Sequence, residues 1–327
     1  MDNNKKMRAI ICPKHGPPSV LQLQEVEIPT PKEKEVLIKN HGTSINTIDV
    51  LFRGGTPKVF QGGFKFLIKL FMRIGKPKHK IPGGGFAGEI VSLGSEVSDW
   101  KVGDHVYGYS EKGGACAEYL TVPSNLIAKK PSNLSFLEAA AVPGGATPAV
   151  IALRDVAQPK EGQKILIIAA SGGIGTYGVQ IAKNVYGANV TGVCGSSNLE
   201  MVKSIGADSV IDYTKEDYTN NDQKYDIIFD AIGVNTFKNC QKILSDTGVF
   251  VTSNPMTRSG NLFKMSNPRF KDFTADESAE TMNQLTEWIE NGKIKPVIDT
   301  VYALEQTSEA HRHYETGHSK GRVVIRI

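Results

Sequence analysis

The chain has 327 residues, too many for one ordinary compact core, so two domains are expected. Hydrophobic residues make up 40% and charged residues 22%, and the net charge of +4 is scattered among acids, which excludes a concentrated nucleic-acid-binding face. Cys12, Cys116, Cys194 and Cys240 form no CxxC pair and no Cys/His cluster, arguing against a zinc ribbon or a disulfide framework and for a reducing compartment. The start, MDNNKKMRAIICPKHG, lacks the apolar core of a secretory signal, and no run reaches the roughly 18 apolar residues that span a bilayer. A cytoplasmic protein is the expectation.

In chain order, the first part is rich in strands. VLQLQEVEIP, EVLIKNHGTSIN, FAGEIVSLGSEV, DHVYGYS and GACAEYLTVP are short apolar and β-branched runs punctuated by Gly, Pro, Ser and Asp, the texture of a barrel-like antiparallel domain. Between LFRGG and IPGGG lies an insert, FQGGFKFLIKLFMRIGKPKHK. In it Lys65, Lys69 and Arg73 recur every four residues against Phe66, Leu67, Leu70, Phe71 and Ile74. Two readings stay open for residues 60–80: a short helix that narrows access to a cleft, and a basic amphipathic segment making weak membrane-surface contact.

From Ser135 the texture changes. SFLEAAAVPGGATPAVIALRDV has a helical period, and strand candidates 164–170, 189–194, 209–211, 226–231 and 248–253 then alternate with helical stretches such as 176–186 and 197–205. This rhythm predicts a doubly wound parallel sheet in an α/β fold. A last helix over 278–290 precedes a tail that closes with a helix and an apolar strand, expected to return to the first domain. The expected domains are therefore 1–134 with 302–327, and 135–301.

One turn carries a ligand signature. KILIIAASGGIGTYGVQIAK runs from strand through Gly172, Gly173 and Gly175 into a helix, so backbone amides and the positive helix end face an anion. Ala170 replaces the first glycine of G-x-G-x-x-G, but the βαβ context that a lone motif lacks is complete. On the next strand, NVTGVC, Cys194 and Gly195 fall where an NAD site places its acid, and Ser196, Ser197 and Asn198 follow. A carboxylate would repel a 2′-phosphate, so its absence there favours NADP; the same hydroxyls also suit a helix cap.

With AASGGIG, VTGVCGSSN, SIGADSVIDY and FDAIG in this order, the chain resembles the medium-chain dehydrogenase/reductases, and most of all their zinc-free quinone oxidoreductase branch. INTID, EAAAVPGGATPAV, GKIKPVIDTVY and HSKGRVVIRI extend the likeness over nearly the whole chain. The resemblance implies a GroES-like catalytic domain, split between the two ends of the chain, around a Rossmann domain. Where zinc members read G-H-E this chain has Gly84 and Gly85, Ser44 stands for the first Cys ligand, and the structural-zinc loop is missing. Without that Lewis acid, reduction of a quinone or conjugated enone is favoured over alcohol oxidation. His311 and His313 are expected on a surface helix, with His15, His41 and His105 isolated.

The resemblance also assigns residues. It places Asn46 and Asp49 near the nicotinamide and the cleft floor, and Thr147 beside the nicotinamide ribose. Ser171, Gly172, Gly173, Ile174 and Gly175 hold the pyrophosphate, Tyr213 packs near the adenosine phosphate, and Ile232 and Ser253 face the cofactor. Lys320 brings a positive charge to the nicotinamide or phosphate region. Tyr107, Tyr109 and Tyr119 are candidate proton donors, though aromatic residues in such strands more often fill cores. The expectation is an NADPH-dependent reductase of a small electrophile that dimerises through a Rossmann edge strand near residues 249–252. Two competing readings are an NADPH-binding sensor without turnover and an enoyl-thioester reductase, the latter weakened by Leu51, Phe52 and Arg53 where an acidic tyrosine is wanted.

Overall fold

The computed structural model describes residues 5–54, 77, 80–253, 267–275 and 277–327. The basic amphipathic insert, with Lys65, Lys69 and Arg73, lies outside the described residues.

The chain opens with a hairpin of β1 (Lys6–Ile11) and β2 (Gln22–Glu27). It continues through β3 (Glu35–Ser44), β4 (Gly85–Leu93), β5 (His105–Tyr109), β6 (Tyr119–Pro123) and β7 (Ile127–Lys129). The parallel part comprises β8 (Lys164–Ile168), β9 (Asn189–Cys194), β10 (Ser209–Asp212), β11 (Tyr225–Asp230), β12 (Leu244–Thr252) and β13 (Phe270–Asp272). The chain ends with β14 (Ile298–Ala303) and β15 (Arg322–Arg326).

Two larger sheets result. One has the order β14-β15-β3-β4-β5-β7, with β6 paired to β3; the other has the order β10-β9-β8-β11-β12-β13 with every pair parallel. The expected return of the final strand is observed: β15 runs antiparallel to β3, with Val324 opposite Ser44. The fold is α/β, a GroES-like domain joined to a Rossmann-type sheet. β14 already belongs to the first sheet, so the chain crosses back before Ile298.

The central strand β8 explains its own position. After Lys164 every residue is buried, as a parallel strand covered on both faces requires. Ile165 and Ile167 join a core with Val179, Leu285 and Ile289, while Leu166 and Ile168 join another with Phe237, Phe250 and Phe270. Strand order reverses at β8, with β9 on one side and β11 on the other, so a crevice opens beyond their carboxyl ends.

Two expectations need correction. Residues 249–252 do not form a sheet edge: Phe250, Val251 and Thr252 pair with Phe270, Lys271 and Asp272, and β13 covers that side. Three residues with two charged or exposed positions gave β13 no readable period. His311 does lie on a helix (Thr307–Glu315), but it faces inward, 1% exposed, where Arg53 Nε reaches its Nδ1 at 3.4 Å. Arg53 is itself buried and pairs with Glu315. The helix therefore packs on its histidine rather than exposing it.

Burial pushes the His311 imidazole down to about 3 from its ordinary 6.5, and the charge of Arg53 adds to the effect. The stability this neutral histidine contributes is full above pH 6.5 and is lost as pH falls, because only the unfolded chain takes up the proton. Denaturant unfolding of wild type and His311→Leu from pH 6 to 4 checks this. The stability gap in favour of wild type should narrow by about 1.4 kcal/mol per pH unit.

Candidate active site

The crevice is built from both sheets, and the phosphate loop forms its floor. Ala169 leaves β8 in the left-handed region, at φ 61°, and Gly172 N–H returns to Ala169 O at 3.0 Å. A Cβ on Gly175 would stand 2.0 Å from Ala169 O, so only glycine lets the helix Gly175–Gln180 begin against the strand end. The turn is tied on two sides: Gly321 N–H donates to Ser171 O at 2.8 Å, and Asn198 Nδ2 donates to Ser171 Oγ at 3.2 Å. Ser171 to Gly175 and Asn198 are thus brought together.

Beyond β9, Ser196 and Ser197 sit on a short turn and Tyr213 stands half-exposed beside Gly195. A carboxylate does reach this pocket, from the neighbouring strand. Asp212, last residue of β10, accepts from Ser196 Oγ at 2.5 Å and Thr214 Oγ1 at 2.6 Å, and these hydroxyls pull its acid down to about 2. Lys215 Nζ lies 3.6 Å from it. Spacing along β9 alone did not reveal this acid, because it arrives from an adjacent strand.

The turn after β11 has its own internal acid. Asp230 accepts from the amides of Gly233 at 2.9 Å and Asn235 at 2.7 Å, while burial pushes it up to about 6. This turn presents the partly exposed Ile232, and Ser253 follows the end of β12 in the same way.

The opposite wall comes from the first sheet. Asn46 caps the helix Thr47–Phe52; its amide donates to Asp49 Oδ2 at 2.9 Å, and Gly83 N–H donates to Asp49 Oδ1 at 2.9 Å. Burial raises Asp49 to about 6, against the pull of those amides and of Arg322. From the helix Ala146–Val150, Thr147 Oγ1 donates to Glu277 Oε1 at 2.6 Å, just ahead of the helix Ala279–Glu290.

Near the end of the chain two basic residues differ in placement, Lys320 and Arg322, and the sequence singled out only the first. Lys320 is exposed, with its amide on Asp299. Arg322, 3% exposed, reaches into the crevice and donates through Nη2 to Asn46 Oδ1 at 2.6 Å, Ser44 Oγ at 2.8 Å and Pro143 O at 3.3 Å. Its Nη1 lies 3.0 Å from where a Cβ on Gly173 would stand, so the guanidinium touches the phosphate loop as well. Nothing in the local sequence marks Arg322 out, because its partners Ser44, Asn46 and Pro143 lie far along the chain.

Among the described residues no group of three or more His, Cys, Asp and Glu side chains lies close enough to hold a metal ion. The residues fit a dinucleotide better. Arg322 Nε and Thr176 Oγ1 are buried without a hydrogen-bond partner, one beside the glycine loop and one at the start of its helix, and the small residues leave backbone amides open to an anion.

Comparison with known proteins agrees with this geometry. Residues 32–132 match the alcohol dehydrogenase GroES-like domain family, and residues 205–325 match the family described as zinc-binding dehydrogenase. An NADPH-dependent alkenal/one oxidoreductase of Arabidopsis thaliana is 34% identical over 98% of this chain and 80% of its own length. The chain belongs to the medium-chain dehydrogenase/reductases, in their quinone oxidoreductase and alkenal reductase branch. Another relative in this branch, the 2-methylene-furan-3-one reductase of Solanum lycopersicum, is 34% identical over 98% of this chain and 79% of its own. The solved quinone oxidoreductase of Coxiella burnetii superposes with a TM-score of 0.86 at 29% identity, covering 99% of this chain and 100% of that one.

As a medium-chain dehydrogenase/reductase, the protein is an oxidoreductase. Its relatives include chloroplastic and mitochondrial proteins, and among the described residues no helix is long and apolar enough to cross a membrane.

The arrangement predicts two variant effects. Gly175→Ala forces a methyl onto Ala169 O and should destabilise the protein by about 1–3 kcal/mol in thermal or denaturant unfolding. Arg322→Met removes the cation that opposes the burial of Asp49, so the carboxyl should titrate above 6, as carbon-13 NMR of the Asp49 side chain will report.

Proposed function

We propose that the protein is a metal-independent, NADPH-dependent reductase of quinones or α,β-unsaturated carbonyls. The observation that carries this reading is a crevice floored by an amide-lined glycine turn and walled by polar side chains with no metal-ligand set among the described residues. Relatives with such activities in their names, over nearly the full chain, support it.

NADPH, when bound, supplies a hydride at the nicotinamide C4. The turn Ser171 to Gly175, whose Gly172 N–H is already bonded to Ala169 O, holds the pyrophosphate through its other amides, and the helix behind it adds its positive end. Ser196, Ser197, Asn198 and Tyr213 receive the adenosine end. Asp212 accepts from the Ser196 hydroxyl and Lys215, 3.6 Å away, offsets its charge, so Ser197 and Asn198 are left to meet the 2′-phosphate. Asn46, positioned by Arg322, and Thr147, positioned by Glu277, orient the nicotinamide ribose. Ile232 and Ser253 line the side reached from the Rossmann sheet.

The acceptor lies against the Asp49 side, and the low dielectric of this crevice strengthens each polar contact made to it. Positioning and exclusion of water, rather than a metal, then lower the barrier.

The test is NADPH oxidation, with NADH in parallel, by chelator-treated protein against a panel of quinones and enones. The proposal expects turnover that survives chelation and a preference of about tenfold for NADPH, the worth of one or two added phosphate contacts. Saturable NADPH binding with no turnover on any acceptor would replace the reductase with a cofactor-binding sensor.

A further inference from the structure

The three tyrosines named as candidate proton donors part company in the structure. Tyr107 is fully buried and spends its hydroxyl on Met282 O at 2.6 Å and Thr286 Oγ1 at 3.0 Å. Tyr119, the first residue of β6, packs beside the small cluster of Met7, Ala9 and Ala117. Tyr109 is different. Among the described residues nothing hydrogen-bonds its hydroxyl, and it lines a depression with Ile48, Asp49, Phe52 and Pro82.

Two glycines seat that ring. A Cβ on Gly84 would lie 2.5 Å from Tyr109 Cζ and 2.8 Å from its hydroxyl oxygen. A Cβ on Gly144 would lie 3.0 Å from Tyr109 Cε2 and 2.6 Å from Asn46 Oδ1. The phenol therefore fills the space that a side chain at 84 would need, the position where the zinc members read histidine. It ends at the face of the crevice that Asn46 and Asp49 share.

We propose that Tyr109 is a catalytic residue whose hydroxyl donates a hydrogen bond to the carbonyl oxygen of the acceptor, the electrophilic role a metal would otherwise fill. This rests on the reductase reading. For an enone, the hydride bonds to the β-carbon and the C=C pair shifts to form a Cα=C bond. The carbonyl pair moves to oxygen, and that enolate oxygen accepts from Tyr109. The α-carbon then takes a proton from water, the enolate collapses to the saturated carbonyl, and Tyr109 keeps its own proton. A quinone gains the hydride and one solvent proton and leaves as the hydroquinone.

The surroundings suit a donor rather than a base. Burial, followed by the charges of Asp49 and Glu277, holds the phenol well above its ordinary 10, with Arg322 opposing, so it stays protonated through the neutral range. A fixed neutral donor aimed at developing charge is the arrangement by which oxyanion sites accelerate reactions.

The test compares wild type with Tyr109→Phe by two readouts. The first is kcat and KM for an enone with saturating NADPH. The second is affinity for 4-nitrophenolate, a planar oxyanion whose absorbance reports its charge, measured without NADPH so that no turnover is involved. The proposal expects Tyr109→Phe to lower kcat about tenfold to a hundredfold and to weaken phenolate binding about tenfold. NADPH affinity and the circular-dichroism spectrum should be unchanged. Values within twofold of wild type on both readouts, or a fall in kcat with phenolate affinity intact, overturn the role of Tyr109 while leaving a reductase in place. A wild type that turns over no acceptor overturns the reductase reading. Loss of phenolate binding in Tyr109→Phe would still locate the oxyanion donor.

Discussion

The buried guanidinium of Arg322 is the constraint on which the crevice depends. It enters from the last strand of the chain, bonds Ser44 and Asn46 from the first sheet and the Pro143 carbonyl, and rests against Gly173 of the phosphate loop. A cation taken out of water is tolerated only where good acceptors surround it. Those acceptors come from segments far apart in sequence, so satisfying one charge gathers the end of β3 and the Pro143 segment around the start of β15. Next to it, the Gly321 amide bonds Ser171 O, so the same strand entry braces the glycine turn. The strand that completes the catalytic sheet therefore also sets the floor of the cofactor site.

The polar groups around this junction are arranged in pairs that orient one another. Asn46 is held by Arg322, Asp49 by the Asn46 and Gly83 amides, and Thr147 by Glu277. Asp230 likewise spends its carboxylate on the turn that carries Ile232. Such groups have few rotamers left, which preorganises the crevice before any ligand enters. Tyr109 breaks the pattern, because its ring is fixed by two glycines while its hydroxyl has no hydrogen-bond partner among the described residues.

Much of this was legible in the sequence, for identifiable reasons. Strands β8 and β9 and the helix Ala279–Glu290 have strong apolar periods and clear turn or cap residues, so they fall within a residue or two of expectation. The glycine turn was readable because strand, small residues and helix are contiguous. Asp212, Glu277 and Arg322 were not readable as site residues, since each reaches its partners across strands or domains and leaves no local spacing. His311 misled because a short polar helix near the end of a chain reads as surface, whereas Arg53 draws it inward. β13 is three residues long, too short for a period, and so the sheet edge was placed one strand early.

The most direct test of the account is amide hydrogen exchange, with and without NADPH, followed by residue-resolved analysis. If the junction braced by Arg322 holds the cofactor, NADPH should slow exchange at Ser171 to Gly175, at Ser196 to Asn198 and at Gly321 to Val323 together, because the glycine turn and the last strand are tied. Protection confined to other segments, or none at saturating NADPH, would contradict it.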